Sequence, residues 1–209
     1  MIFIVPTRGR PHKIRDVINS WSDTRVSAHL CIAVDYDDPE LSEYQRELTH
    51  VPSWASVQYV RVTQPPSMVK TLNYVSRLIA HTDEHDVIGF MGDDHHPRTF
   101  SWDIAVEAAV RRCRGIVYAN DLLQGANLPT QVAMPIEFVR VLNHMAPPDL
   151  RHLYVDNYWK ALGEKSGRME YLERVIIAHM HPIAKKSEWD DRYKAVNAPA
   201  MYAHDGGVF

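Results

Sequence analysis

Two adjacent carboxylates, Asp93 and Asp94, follow the apolar run Val87-Ile88-Gly89-Phe90-Met91 and Gly92. Carboxylates crowded at the end of a buried strand concentrate negative charge, and a hard divalent cation with oxygen ligands relieves it. Such a cation can bridge diphosphate oxygens and offset charge on a leaving nucleotide. The plain alternative is a solvated acidic turn. The strand that delivers the pair favours a site.

Four histidines extend this chemistry. His95 and His96 are neighbours, and in an extended segment their side chains point to opposite faces, so both do not reach one metal. His179 and His181 are two residues apart and in a strand share a face. His181 is the preferred ligand of that pair, with His179 packing or capping. Arg8, Arg10 and Lys70 are cations suited to phosphate: guanidinium by paired hydrogen bonds, ammonium as a point charge. Lys70 lies one helical turn from Asn73. Asp156 sits in Leu153-Tyr154-Val155-Asp156-Asn157-Tyr158-Trp159, where partial desolvation would raise its pKa and suit it to general-base work on a hydroxyl. Capping or pairing within a helix is the other reading. Trp102, Tyr158 and Trp159 offer either stacking surfaces or core.

These groups need elements that bring them together. Met1 to Pro6, Leu30 to Val34, Val57 to Val62, Asp86 to Met91 and Gly115 to Ala119 read as short buried strands. Helical spacing is seen from Pro11 through Ile14, Val17, Ile18 and Trp21, from Glu40 to Leu48, and from Trp102 to Arg112. Ser67 reads as the N-cap of a helix burying Met68, Leu72, Val75 and Ile79. The alternation predicts an α/β fold with a mostly parallel sheet. Polar groups then fall at strand ends, where ligands bind in such sheets. The second half is read as a strand over Gln131–Met134, helices over Ile136–Leu142 and Leu150–Leu162, and a strand over Met169–Met180. One domain over residues 1–209 is expected, with 183–209 a wrapping or frayed C-terminal tail.

The 209 residues are 45% hydrophobic and 23% charged with a formal charge of -3, which is ordinary globular material with no global pull toward nucleic acid or anionic membrane. Two cysteines, Cys31 and Cys113, suggest no disulfide framework. The apolar N-terminus is too short for a signal sequence or membrane span. The chain reads as cytoplasmic, with no membrane partner, as a monomer or homodimer.

Up to about Pro182 the ordered motifs resemble GT-A glycosyltransferases, especially family 2-like enzymes. Ile4-Val5-Pro6-Thr7-Arg8-Gly9-Arg10 looks like their opening strand and nucleotide-contacting loop, Asp35 like their nucleoside-facing acid, and Ser67 to Asn73 like the helix start facing the donor, with the usual Ala-Arg-Asn altered. Gly92-Asp93-Asp94 stands in for Asp-x-Asp with its first aspartate replaced. The resemblance implies a GT-A α/β fold and, by matched position, Asp94 and His181 as metal ligands and Asp156 as catalytic base. Pro6, Thr7, Arg8, Arg10, Asp35, Lys70, Asn73, Gly92 and Asp93 would hold the nucleotide sugar. It further implies Mn²⁺ or Mg²⁺, a UDP-sugar or other nucleoside-diphosphate sugar, and inverting transfer to an acceptor hydroxyl. The compact form, with His152 to Asn157 and His179-Met180-His181-Pro182, looks similar to short bacteriophage glycosyltransferases, acting in the host cytoplasm. Modified DNA (a hydroxylated base), a glycan or a protein are then the acceptor classes. A nucleotidyltransferase and a non-catalytic nucleotide- or glycan-binding GT-A domain are the rival readings; the missing first aspartate favours the latter.

Overall fold

The computed structural model describes residues 1–209. Its first half alternates as the apolar pattern requires: β1 (Ile2–Thr7), α1 (Pro11–Thr24), β2 (His29–Asp35), α2 (Leu41–Glu47), β3 (Ala55–Val60), α3 (Met68–Ala80) and β4 (Val87–Phe90). Then follow β5 (His95–Pro97), α4 (Trp102–Cys113), β6 (Ile116–Asn120), β7 (Val132–Pro135), α5 (Ile136–Leu142), α6 (Val155–Ser166), β8 (Met169–His179), α7 (Asp191–Val196) and α8 (Pro199–Val208). All eight strands join one sheet in the order β3-β2-β1-β4-β7-β6-β8-β5. The pairs β1–β2, β2–β3, β1–β4 and β6–β8 are parallel; β4–β7, β6–β7 and β5–β8 are antiparallel. The sheet is therefore mostly parallel, flanked by helices, as the alternation predicts.

Strand alternation divides the core between the two faces. On β1, Phe3 and Val5 pack with Ile14, Trp21 and Trp102, whereas Ile2 and Ile4 pack with Leu72, Ile88 and Trp159. Each such large side chain contributes about 1.5–3 kcal/mol by leaving water. Ser67 is the N-cap of α3: its Oγ accepts the Lys70 N–H at 3.2 Å, fixing where that helix starts below the sheet edge.

Two expectations change. The predicted helix from Leu150 starts later, at Val155. The N–H groups of Arg151, His152 and Leu153 all go to the Asp205 carboxylate, and Tyr154 takes a left-handed φ of 62°, so helical hydrogen bonding cannot begin earlier. Residues 183–209 are not a frayed tail: they form α7 and α8, and Asp205 is completely buried. His95–Pro97, in keeping with an extended segment, is a strand, pairing with the end of β8 so that His95 lies opposite His179.

Candidate functional site

The carboxyl ends of β1, β2 and β4 open onto a cavity of about 260 Å³. Gly9, at φ +67°, turns the chain out of β1, and its N–H meets Asp38 Oδ2 at 2.9 Å. The turn presents three polar side chains. Thr7 Oγ1 donates to Asp93 Oδ2 at 2.7 Å while receiving the Tyr44 hydroxyl at 2.7 Å. Arg8 bridges Asp35 and Asp37 at 2.9 and 2.7 Å. Arg10 bridges Asp93 at 3.0 Å and Asp190 at 2.8 Å, with its guanidinium carbon 3.9 Å from the centre of the Tyr193 ring. Asp35 also accepts from Thr71 at 2.5 Å. Burial pushes its pKa up, and Thr71 and Arg8 only partly offset that.

Asp93 and Asp94 play different parts. Asp93 is held by the β1 turn; burial raises its pKa against the pull of Arg10. Asp94 faces the other way, toward β5 and β8. Its Oδ2 accepts the Tyr193 hydroxyl at 2.7 Å and lies 3.3 Å from His179 Nε2, and its Oδ1 lies 3.3 Å from His95 Nδ1. Burial alone would raise Asp94, but the facing His179 and His95 hold it well below the usual carboxylate range. Burial likewise opposes charge on His179, yet Asp94 and Asp121 raise it to about 9.

Asp94, His95 and His179 offer one ligand atom each within 4.8 Å of one another. One carboxylate and two imidazoles form a mixed oxygen–nitrogen set that suits Mn²⁺ better than Mg²⁺. His95 comes with competition, because its Nδ1 already accepts the Gly92 N–H at 3.1 Å. His181, preferred from sequence, stands outside this group. It leaves the strand to cap a short 3₁₀ turn, its Nδ1 accepting the Ile183 N–H at 3.2 Å, although its ring still lines the cavity. A Cβ at Gly92 would stand 2.6 Å from Asp94 Oδ1, so a side chain there would require the Asp94 carboxylate to shift.

Asp156, in the first turn of α6, also lines the cavity. Burial raises its pKa, and the Asn157 N–H it accepts at 2.9 Å offsets this only in part. Of the residues expected to hold a nucleotide sugar, Pro6, Thr7, Arg8, Arg10, Asp35, Gly92 and Asp93 all line the cavity. Lys70 and Asn73 do not. Lys70 Nζ points away to the carbonyls of Thr63 and Pro65 at 3.0 and 2.6 Å. Asn73 is buried, tying Met145 and Ala146 to α3 through their backbone. Trp102 and Trp159 are core.

The sequence reading missed the third wall. Arg192, Tyr193 and Asn197 of α7 and its C-terminal end close the cavity, with His152 beside them. Arg192 makes no ion pair or hydrogen bond to the protein, and burial lowers its pKa, with Arg10 and Arg8 close by and Asp93 opposing. The signal that could have found this wall is Glu188-Trp189-Asp190-Asp191-Arg192-Tyr193, a dense run of chemical side chains in an otherwise unpatterned stretch.

No protein-family model matches the chain, and no curated protein sequence matches it. Solved structures do match. The mannosyltransferase PcManGT from Pyrobaculum calidifontis, in complex with GDP-Man and Mn²⁺, aligns at a TM-score of 0.66 and 14% identity, covering 96% of this chain and 68% of that one. S. aureus TarS 1–349 in complex with UDP aligns at 0.60 and 12%, covering 98% and 68%. For a longer S. aureus TarS structure the values are 0.59 and 13%, with 98% of this chain spanning 41% of that one. At such identities the likeness establishes the fold, a GT-A-like mixed α/β arrangement.

Proposed function

We propose that this chain is a metal-dependent glycosyltransferase, moving a sugar from a nucleoside-diphosphate sugar to an acceptor hydroxyl with inversion. The observation that carries the reading is the division of labour around one cavity. A carboxylate–imidazole set (Asp94, His179), guanidinium groups (Arg8, Arg10, Arg192) and a burial-raised carboxylate (Asp156) all line it. The GDP-Man and Mn²⁺ in the PcManGT complex and the UDP in the TarS 1–349 complex support the same choice of ligand.

Asp94 and His179 would hold Mn²⁺, with His95 beside them. The ion, when bound, supplies Lewis-acid stabilisation to the departing diphosphate. Arg192, the cation with no protein partner, adds charge for the diphosphate, and unpaired guanidinium groups suit its oxygens. Asp35 and Arg8 face the nucleoside, and Asp93, braced by Thr7 and Arg10, faces the sugar. Asp156 takes the proton from the acceptor hydroxyl as that oxygen attacks the anomeric carbon. A hydroxylated base in DNA, a glycan and a protein hydroxyl are the acceptor classes for such chemistry.

Release of nucleoside diphosphate from a panel of UDP- and GDP-sugars, with Mn²⁺ and a mixed acceptor panel, tests this. Turnover in the wild type and its loss in Asp156→Asn, with donor binding retained, is expected. Donor binding without turnover in the wild type would instead support a non-catalytic binder, the reading that Gly92 in place of the first aspartate of Asp-x-Asp favours.

A further inference from the structure

Of the five tryptophans, Trp21, Trp102 and Trp159 are core and Trp54 is half-buried against Trp21. Trp189 alone is exposed, at 47%. It is also pinned. Its ring stands edge-to-face on His181 at 5.8 Å and on Tyr193 at 6.1 Å between centroids, and both of those residues line the cavity. The backbone is anchored on either side: Ser187 Oγ donates to the Met180 carbonyl at 2.6 Å, and Asp190 caps α7 while accepting Arg10 at 2.8 Å. A large apolar face held rigid in water, beside a polar cavity, is a preorganised contact surface, because its ordering cost is met before any ligand arrives.

We propose that Trp189 is a stacking platform for the acceptor, and that the acceptor is a neutral glycan laying the C–H face of a sugar ring on the indole. This rests on the glycosyltransferase reading and names its second substrate. The charges around the platform select against a nucleic acid strand, whose binding depends on rows of free cations meeting phosphates. Glu188 and Asp191 flank it, Lys194 is tied to Asp191 at 3.1 Å, Lys186 Nζ is buried, and Arg192 faces the cavity. Lys185 is exposed and in no ion pair, and exposed Arg98 meets only Met180 Sδ; these are scattered cations, not a row. A neutral sugar needs none of these cations.

The test is saturation-transfer NMR on the full chain with UDP or GDP and Mn²⁺. The probes are simple methyl glycosides, cellobiose, maltose and an oligothymidylate. Ring C–H protons of at least one glycoside should receive saturation from the wild type. That signal should be lost in Trp189→Ala and kept in Trp189→Phe, which preserves a flat ring and guards against misfolding. Nucleotide binding measured calorimetrically on the wild type separates the two claims. Bound nucleotide with no glycoside signal, a glycoside signal unmoved by Trp189→Ala, or saturation of the oligothymidylate alone would each overturn the platform. A glycoside signal with no nucleotide binding would leave the platform standing and remove the transferase reading.

Discussion

The roles proposed for Asp156 and His179 can each be tested by a single substitution. As the proposed base Asp156 would act only when ionised, and burial lifts its pKa above that of an ordinary carboxylate. Turnover should therefore rise with pH through a midpoint above about 3.9, the model-peptide value, and level off once the carboxylate is ionised. Asp156→Asn should lower kcat by about 100-fold or more while leaving the donor Kd within a few-fold; an unchanged kcat would remove the base assignment. For the metal, His179→Ala should weaken Mn²⁺ binding by about 10-fold or more, and His181→Ala should weaken it less. Titration of Mn²⁺ against both variants ranks them, and the reverse order would restore His181 as the ligand. The sequence places both histidines on one face of a strand and favours His181, whereas the structure groups His179 with Asp94 and His95. The choice depends on β5, a three-residue strand that sets His95 against His179, with rings 4.2 Å apart. Three residues carry no periodicity to read.

Helix α8 shows why the C-terminal elements were illegible. It contains Gly206 and Gly207, which oppose helix formation, so no local signal announces it. Tertiary contacts decide instead: the Asp205 carboxylate collects three backbone N–H groups and His204 Nδ1 lies 2.7 Å away, while Gly206 packs so close to Tyr154 that a Cβ would meet its hydroxyl at 3.2 Å. Asp205→Ala would orphan those donors, at about 1–3 kcal/mol for such a buried group. A lower Tm and faster proteolytic removal of α7 and α8 are expected, together with weaker nucleotide binding, because Arg192 arrives on α7. Full retention of the C-terminal segment under protease would contradict this coupling. By contrast, α3 was readable: its Ser67 cap and apolar stripe are local. Spacing fixes which turn Lys70 occupies, not whether its side chain faces the cavity or, as here, the carbonyls of Thr63 and Pro65.

Across the whole molecule, the sheet order brings residues from both ends of the sequence to one rim, Thr7 and Arg10 from β1 and its turn and Tyr193 from α7. The alternation of strands and helices made the parallel half legible; the antiparallel β7 and β5 are where tertiary pairing, not pattern, set the topology. No helix is long and apolar enough to cross a membrane. Enclosing a polar site also sets an acid limit. Burial, helped by Arg192, lowers His152 from 6.5 to about 3, and its Nδ1 has no hydrogen-bond partner. Between those values the unfolded chain holds a proton that the folded chain lacks, so stability should fall as pH drops from about 6.5 toward 3. Urea midpoints at pH 7.5 and 5 should differ, and less so in His152→Gln; an equal difference would assign the acid sensitivity elsewhere.

Calorimetric titration of UDP and GDP with and without Mn²⁺ probes the proposed metal-assisted nucleoside-diphosphate site. Saturable binding of one diphosphate that requires Mn²⁺, is absent for the bare nucleoside and is lost in Asp94→Ala is the predicted result. Folded protein that binds neither diphosphate with Mn²⁺ present would contradict it.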